Sequence, residues 1–251
     1  MSPIRVDIKE HIATVVMDFP PVNAMSMPEY AELTEVFDNL WEGEARVAIL
    51  TGSGERAFSA GVNVKARLEG EPKDDHGRTA REAFNAIYEC AIPVIGAVNG
   101  PALGAGLALA ASCDYLIASE MASFGLPEID VGLLGGARHL ARLFPQSYVR
   151  RMHYTAERAS AEEALRLHAV TRVVPAEKLM DEAMNDARAI ASKMPVGIRL
   201  AKEGLNVIEF LDLKNGYRFE QTRTAILSKT EDAQEAKRAF LEKRPAVFKG
   251  R

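Results

Sequence analysis

Cysteine, tryptophan, basic clusters and long apolar runs are scarce in this chain, and each scarcity narrows the reading. Its 251 residues include only two cysteines, Cys90 and Cys113, with neither a CxxC pair nor a histidine-rich neighbour. A disulfide framework and a zinc site are therefore poorly founded, and both thiols read as small buried side chains. The single tryptophan, Trp41, reads like Tyr88 as a packing residue. No basic block interleaves with aromatics, and 35 acids against 31 bases leave a formal charge of -4, so a nucleic-acid partner is not expected. The opening stretch "MSPIRVDIKEHIATVVMDF" carries charge throughout and lacks a small-residue cleavage site. Neither a leader nor a membrane anchor is expected there, and a cytoplasmic location is the default.

What is present is an alternation of strand and helix signals. "IRVDI" and "IATVVMDF" are β-branched runs split by a short polar turn, and Pro20–Pro21 stops the second because proline cannot donate to a ladder. After Ser26, a candidate N-cap, Tyr30, Leu33, Phe37 and Leu40 recur at helical spacing and predict one buried face. "VAIL" and "IPVIGAVNG" are continuous apolar strands of the kind buried on both sides, each leading into a glycine turn. "LEGEPKDDHGRTA" carries too little apolar surface to be core and reads as a surface loop. Strand, glycine turn, helix and strand in succession predict an α/β fold with an open, mostly parallel sheet. Beyond about residue 134 the chain turns mainly helical, with Ser160 and Glu163 forming a capping box and Pro195 ending a long helical run. The division that follows is a core over residues 1–195 and a helical region over 196–251.

The glycine turns raise the question of a ligand. Gly104-Ala105-Gly106 superficially fits a dinucleotide loop, but position 109 is leucine and the acid near the required distance, Glu128, sits in "GLPE" rather than at a strand end. No glycine is followed by the Lys-Ser/Thr pair of a phosphate-gripping loop either. Two facing turns, "SAGVN" and "LGAGL", could each present a backbone N–H to one carbonyl oxygen as it gains negative charge. The same glycines would equally let helices pack closely on strands.

The motifs "AFSAGVNVK", "IPVIGAVNGPALGAGLALAASCDYLIAS", "ASFGLPEIDVGLL" and "AFLEKRPAVFKG" together resemble the enoyl-CoA hydratase/isomerase (crotonase) family, and the likeness spans nearly the whole chain. That resemblance implies a crotonase-like spiral of repeated ββα units and a C-terminal helical region that mediates trimerisation, as a homotrimer or a dimer of trimers. It implies an acyl-CoA substrate, with coenzyme A as part of that substrate and no metal or redox cofactor. By position, the backbone amides of Val62 and Ala105 would form an oxyanion hole and Glu128 would be the acid/base. Val22, Ala24, Ala60 and Val64 would lie along coenzyme A, while Phe240 and Lys243 would reach a neighbouring subunit's nucleotide.

One departure matters for the chemistry. Hydratases of this family commonly place a second glutamate where this chain has Ala108, so the paired carboxylates that position water are incomplete. A lone carboxylate beside an oxyanion hole suffices to shuttle a proton and isomerise a double bond. Hydration would need a stand-in, for which Asn63, Asp130 and His139 are the nearby candidates. Asn63 also reads as a turn-stabilising side chain, Asp130 as structural, and His139 as a helix residue facing either pocket or core. "FPPVNA", "YECAIPVIGAVNG" and "GGARHLARLFPQ" are similar to ring-opening members that hydrolyse a carbon–carbon bond next to a ketone. A non-catalytic acyl-CoA-binding protein that kept the fold is the remaining alternative.

Overall fold

The computed structural model describes residues 3–68 and 73–251. The chain opens with β1 (Ile4–Lys9), β2 (Ile12–Met17), β3 (Ala24–Met25) and α1 (Met27–Asn39). It continues through β4 (Val47–Gly52), β5 (Gly61–Val62), α2 (Val64–Leu68), α3 (Lys73–Glu89), β6 (Val94–Val98), β7 (Ala102–Leu103) and α4 (Ala105–Ser112). Next come β8 (Tyr115–Ser119), β9 (Ser123–Gly125), α5 (Ala137–Leu143), α6 (Gln146–Thr155), β10 (Arg158–Ser160), α7 (Ala161–Arg166) and β11 (Arg172–Val174). Helices α8 (Leu179–Ala191), α9 (Pro195–Ile208), α10 (Leu213–Leu227) and α11 (Glu231–Glu242) follow.

Six strands form the main sheet in the order β1-β2-β4-β6-β8-β11, antiparallel only at the first pair. Strands β4 and β6 are buried along their whole length, which is why they lack polar alternation. Their side chains still alternate between two cores. Ala48, Leu50, Val94 and Val98 face the large core shared with α1, α3 and α4, whereas Val47, Ile49, Ile95 and Ala97 face Leu179, Ala183 and Ala187 of α8. Tyr30, Leu33, Phe37 and Leu40 are all buried along the face expected of α1. The Ser26 amide donates to the Glu29 carboxylate at 2.8 Å, and Ser160 Oγ accepts from the Glu163 amide at 3.1 Å, so both helix starts are capped.

Two sequence expectations change. The charged stretch read as a loop is helical from Lys73 onward, because Ala80, Ala83, Ala86 and Ile87 of the same segment are buried and anchor α3. Residues 69–72 of that stretch lie outside the described residues. Trp41, taken as a packing residue, stands on the surface.

The helical C-terminal region is fastened by charge. Lys202 on α9 is buried, and its Nζ donates to the Asp114 carboxylate at 2.9 Å and to the Ile92 carbonyl at 3.0 Å. With the Ile87 carbonyl at 3.5 Å as a third acceptor, each of its three protons has a partner, which makes burying that ammonium tolerable. Among the described residues no helix is long and apolar enough to cross a membrane. Cys113 is buried in the core, which pushes its thiol up to about 12, and burial raises Cys90 as well. Neither thiol is poised as a nucleophile.

Candidate active site

The two glycine turns are stitched together by main-chain bonds between distant segments. The Ser59 amide donates to the Pro101 carbonyl at 3.2 Å, and the Leu103 amide donates to the Ser59 carbonyl at 2.9 Å. Ser59 is fully buried; its hydroxyl donates to the Asn23 carbonyl at 2.7 Å and accepts from the Gly61 amide at 3.1 Å. Asn23, which sequence reasoning missed, holds the same loop from behind by donating to the Ser53 and Ala57 carbonyls at 3.1 and 2.9 Å. The only local signal for it is an Asx-type residue just after the Pro20–Pro21 turn, at a positive φ of 53°.

This stitching brings the residue before Val62 against the first residue of α4. A methyl group on Gly61 would sit 3.0 Å from the Ala105 nitrogen, so the residue preceding Val62 touches the start of α4. Ala105 opens α4, where main-chain amides have no partner within the helix. The Asn63 amide donates to Met25 at 2.7 Å, so alternation along β5 turns the Val62 amide away from β3. Val22, Ala24 and Ala60 line the same crossing: the Ala60 amide donates to the Val22 carbonyl at 2.9 Å and Ala24 pairs with Gly61. Val64 begins α2 and is exposed. Phe240 and Lys243 lie elsewhere, exposed at the end of α11, and are not brought to this crossing within one chain.

Glu128 arrives from the third loop. The Gly104 amide donates to the Gly125 carbonyl at 2.9 Å, which fixes the residues after β9 above the start of α4. The segment Pro127–Val131 is a 3-10 helix, with Pro127 in its first turn and Gly132 closing it in the left-handed region. Asp130 therefore points to solvent by helical spacing and stays out of the site. Glu128 points inward. A methyl on Gly104 would lie 2.6 Å from its Oε1, and one on Gly135 would lie 2.7 Å from its Cδ. The carboxyl group is thus packed between the residue before the Ala105 amide and the turn before α5. Gly104 has φ 57° and ψ -123°, a conformation that excludes a side chain even before the carboxylate is considered.

Electrostatics follow from that packing. Oε2 of Glu128 is buried without a hydrogen-bond partner. Burial pushes its carboxyl above the ordinary 4.5, opposed only in part by its own backbone amide and by His153. Because the folded value exceeds the unfolded one, the native state gains from protonation at low pH and loses that gain as pH rises through the folded value. Gln cannot ionise. Thermal midpoints of wild type and Glu128→Gln are therefore expected to diverge in favour of the variant as pH rises above about 4.5. A constant difference would contradict the burial argument.

The remaining wall is Ala108, the turn before α5 and His139. A methyl on Gly136 would lie 3.7 Å from Ala108 Cβ and 3.2 Å from His139 Nδ1, so all three share one corner. The imidazole meets Phe84 edge to face at 5.1 Å. Asn63 Oδ1 accepts from the Ala66 amide at 3.2 Å, the turn-stabilising role its position suggested. A carboxyl with a buried oxygen, packed against the start of a helix whose first amides lack partners within it, suits proton transfer beside a developing oxyanion.

Sequence comparison then decides the family, since the sequence profile of enoyl-CoA hydratases/isomerases matches residues 7–251. The chain belongs to the enoyl-CoA hydratase/isomerase family. It is 42% identical over 238 residues to the (7aS)-7a-methyl-1,5-dioxo-2,3,5,6,7,7a-hexahydro-1H-indene-carboxyl-CoA hydrolase of Rhodococcus jostii, covering 92% of this chain and 91% of that one. It is 39% identical over 251 residues to the carnitinyl-CoA dehydratase of Salmonella enteritidis, covering 96% and 95%. The crystal structure of enoyl-CoA hydratase from Bacillus anthracis superposes with a TM-score of 0.93 at 33% identity, over 100% of both chains. The architecture is accordingly the crotonase-like α/β fold with a helical C-terminal region, and the protein is an acyl-CoA enzyme of the enoyl-CoA hydratase/isomerase family.

Proposed function

We propose that this enzyme moves a proton at the carbon next to a coenzyme A thioester carbonyl, with Glu128 as acid/base and the Val62 and Ala105 amides receiving the oxygen of the enolate. The observation that carries this reading is the placement of the Glu128 carboxyl. It is half-buried, has one buried oxygen without a partner, and lies against Gly104, the residue immediately before the Ala105 amide. A group whose proton affinity is raised by burial exchanges protons near neutral pH far better than a solvated carboxylate does. Such proton transfer needs neither metal nor redox group, and coenzyme A enters as part of the substrate.

In the same reading Val22, Ala24, Ala60 and Val64 lie along coenzyme A, and Phe240 and Lys243 serve a neighbouring subunit's nucleotide in a homotrimer or dimer of trimers. Exposed apolar side chains on the C-terminal helices, among them Leu205, Leu213, Tyr217 and Phe240, support burial against another copy. A cytoplasmic location agrees with two free, buried thiols.

A second reading, ring-opening hydrolysis of a cyclic keto-acyl-CoA, draws support from Ala108, which leaves no second carboxylate, and from the hydrolase name of the Rhodococcus jostii relative. A panel of crotonyl-CoA, vinylacetyl-CoA and 2-oxocyclohexanecarbonyl-CoA followed by mass and by product structure separates the chemistries. Hydration adds water with the carbon skeleton intact, isomerisation leaves the mass unchanged, and ring opening adds water while breaking a carbon–carbon bond. A product formed by wild type and lost in Glu128→Gln supports the first reading. A ring-opened product as the sole outcome selects the second, and thioester binding without turnover or proton exchange contradicts both.

A further inference from the structure

Resting on the reading above, we infer that His139 is the base that activates water in this site, standing where the second carboxylate of a hydratase would otherwise act. The geometry carries the inference. Ala108 and His139 Nδ1 both contact Gly136, and Glu128 packs on the adjacent Gly135, so the imidazole and the carboxyl each rest on one residue of the same glycine pair. Phe84 backs the ring edge to face at 5.1 Å and fixes its plane. A glutamate at position 108 would compete for that corner; alanine leaves it to the imidazole.

The charged neighbours suit a neutral base. Burial, Arg142 and Arg138 all lower the proton affinity of His139. Both guanidiniums are themselves held by Glu209 at the end of α9, at 3.2 and 3.5 Å, and Tyr88 of α3 donates to the same carboxylate at 3.2 Å. Glu128 has its proton affinity raised, so the two groups are pushed in opposite directions, the arrangement that divides acid and base roles between neighbours.

For a cyclic β-keto thioester the steps balance. His139 takes one proton from water as the water oxygen bonds to the ring ketone carbon. The bond from that carbon to the α-carbon then breaks, and its electron pair passes to the thioester enolate held by the Val62 and Ala105 amides. Protonated Glu128 delivers its proton to the α-carbon, and the proton on His139 returns through solvent to the Glu128 carboxylate. The ring carbon leaves as a carboxylic acid on the opened chain, still joined to the thioester.

The test compares two activities of the full-length protein: deuterium exchange at the α-carbon of butyryl-CoA, which needs Glu128 and the amides alone, and ring opening of 2-oxocyclohexanecarbonyl-CoA, which also needs water. His139→Gln is expected to slow ring opening about 100-fold or more while exchange stays within about threefold. His139→Phe keeps an aromatic ring against Phe84 and serves as the variant read if the glutamine protein is unstable. Ring opening retained within about threefold overturns the inference, and so does a parallel loss of exchange, which would make His139 a support for Glu128 or for the fold. Wild-type exchange without ring opening overturns the role of His139 and leaves the proton-transfer reading standing. Absence of exchange in wild type overturns both.

Discussion

Replacing Glu128 by glutamine is expected to slow α-proton exchange of butyryl-CoA by at least about 100-fold, the usual contribution of a positioned acid/base. Glutamine preserves the shape that packs on Gly104 and Gly135 but cannot carry the proton. The proposed coenzyme A contacts, Val22, Ala24, Ala60 and Val64, are not among the residues that Glu128 packs on, so butyryl-CoA affinity by calorimetry is expected to change less than about threefold. That separation is the point of the experiment. Weak binding with intact chemistry would mean that the carboxyl serves the fold or the ligand, and undiminished exchange would remove it from the reaction.

The second large effect is expected at Gly104. Gly104→Ala places a methyl 2.6 Å from Glu128 Oε1, on a backbone at φ 57° that L-residues rarely adopt. The chain must relax by moving either the carboxyl or the amide that follows it, and losing one oxyanion donor typically costs about 100-fold or more in kcat. Backbone strain adds about 1–3 kcal/mol to the folded state, a fall of several degrees in Tm. Gly54→Ala is the control, because Gly54 has a similar φ of 71° with nothing within 4 Å of a new methyl. It is expected to lose some stability and to keep its turnover. Equal turnover in the two variants would mean that strain alone, and no closure of the site, explains the Gly104 effect.

Much of the fold is written in local pattern. The continuous apolar runs of β4 and β6, the face of α1 and the capped starts of α1 and α7 follow from period and capping chemistry. Local pattern misleads where anchoring is remote. The beginning of α3 looks like a loop because its apolar contacts start only at Ala80, one face of a helix whose first turns are polar. The 3-10 turn that carries Glu128 leaves no sequence signal of its own, because five residues are too few to display its period.

The site itself was legible in part and for a different reason. Val62, Ala105 and Glu128 stand out by motif and family resemblance, but the meeting of the segments that carry them depends on pairings of Ser59 with Pro101 and Leu103, and of Gly104 with Gly125, that no local period reveals. Asn23 and Phe84 carry no comparable signal, since one acts by bracing loops from behind and the other by packing on an imidazole across the chain. His139 was visible only as a helix residue of unknown facing. Its surroundings, Gly136 at the start of α5 and Phe84 on α3, come from tertiary packing that no local period reveals.

The central claim is that two main-chain amides polarise one thioester carbonyl beside a buried carboxyl. Isotope-edited infrared spectroscopy of butyryl-CoA labelled at the thioester carbonyl measures this in the bound complex. The stretch is expected to fall to lower frequency on binding to wild type and to Glu128→Gln, and to return toward the free value in Gly104→Ala. A bound carbonyl that absorbs at the frequency of the free thioester in the wild-type protein would contradict the account.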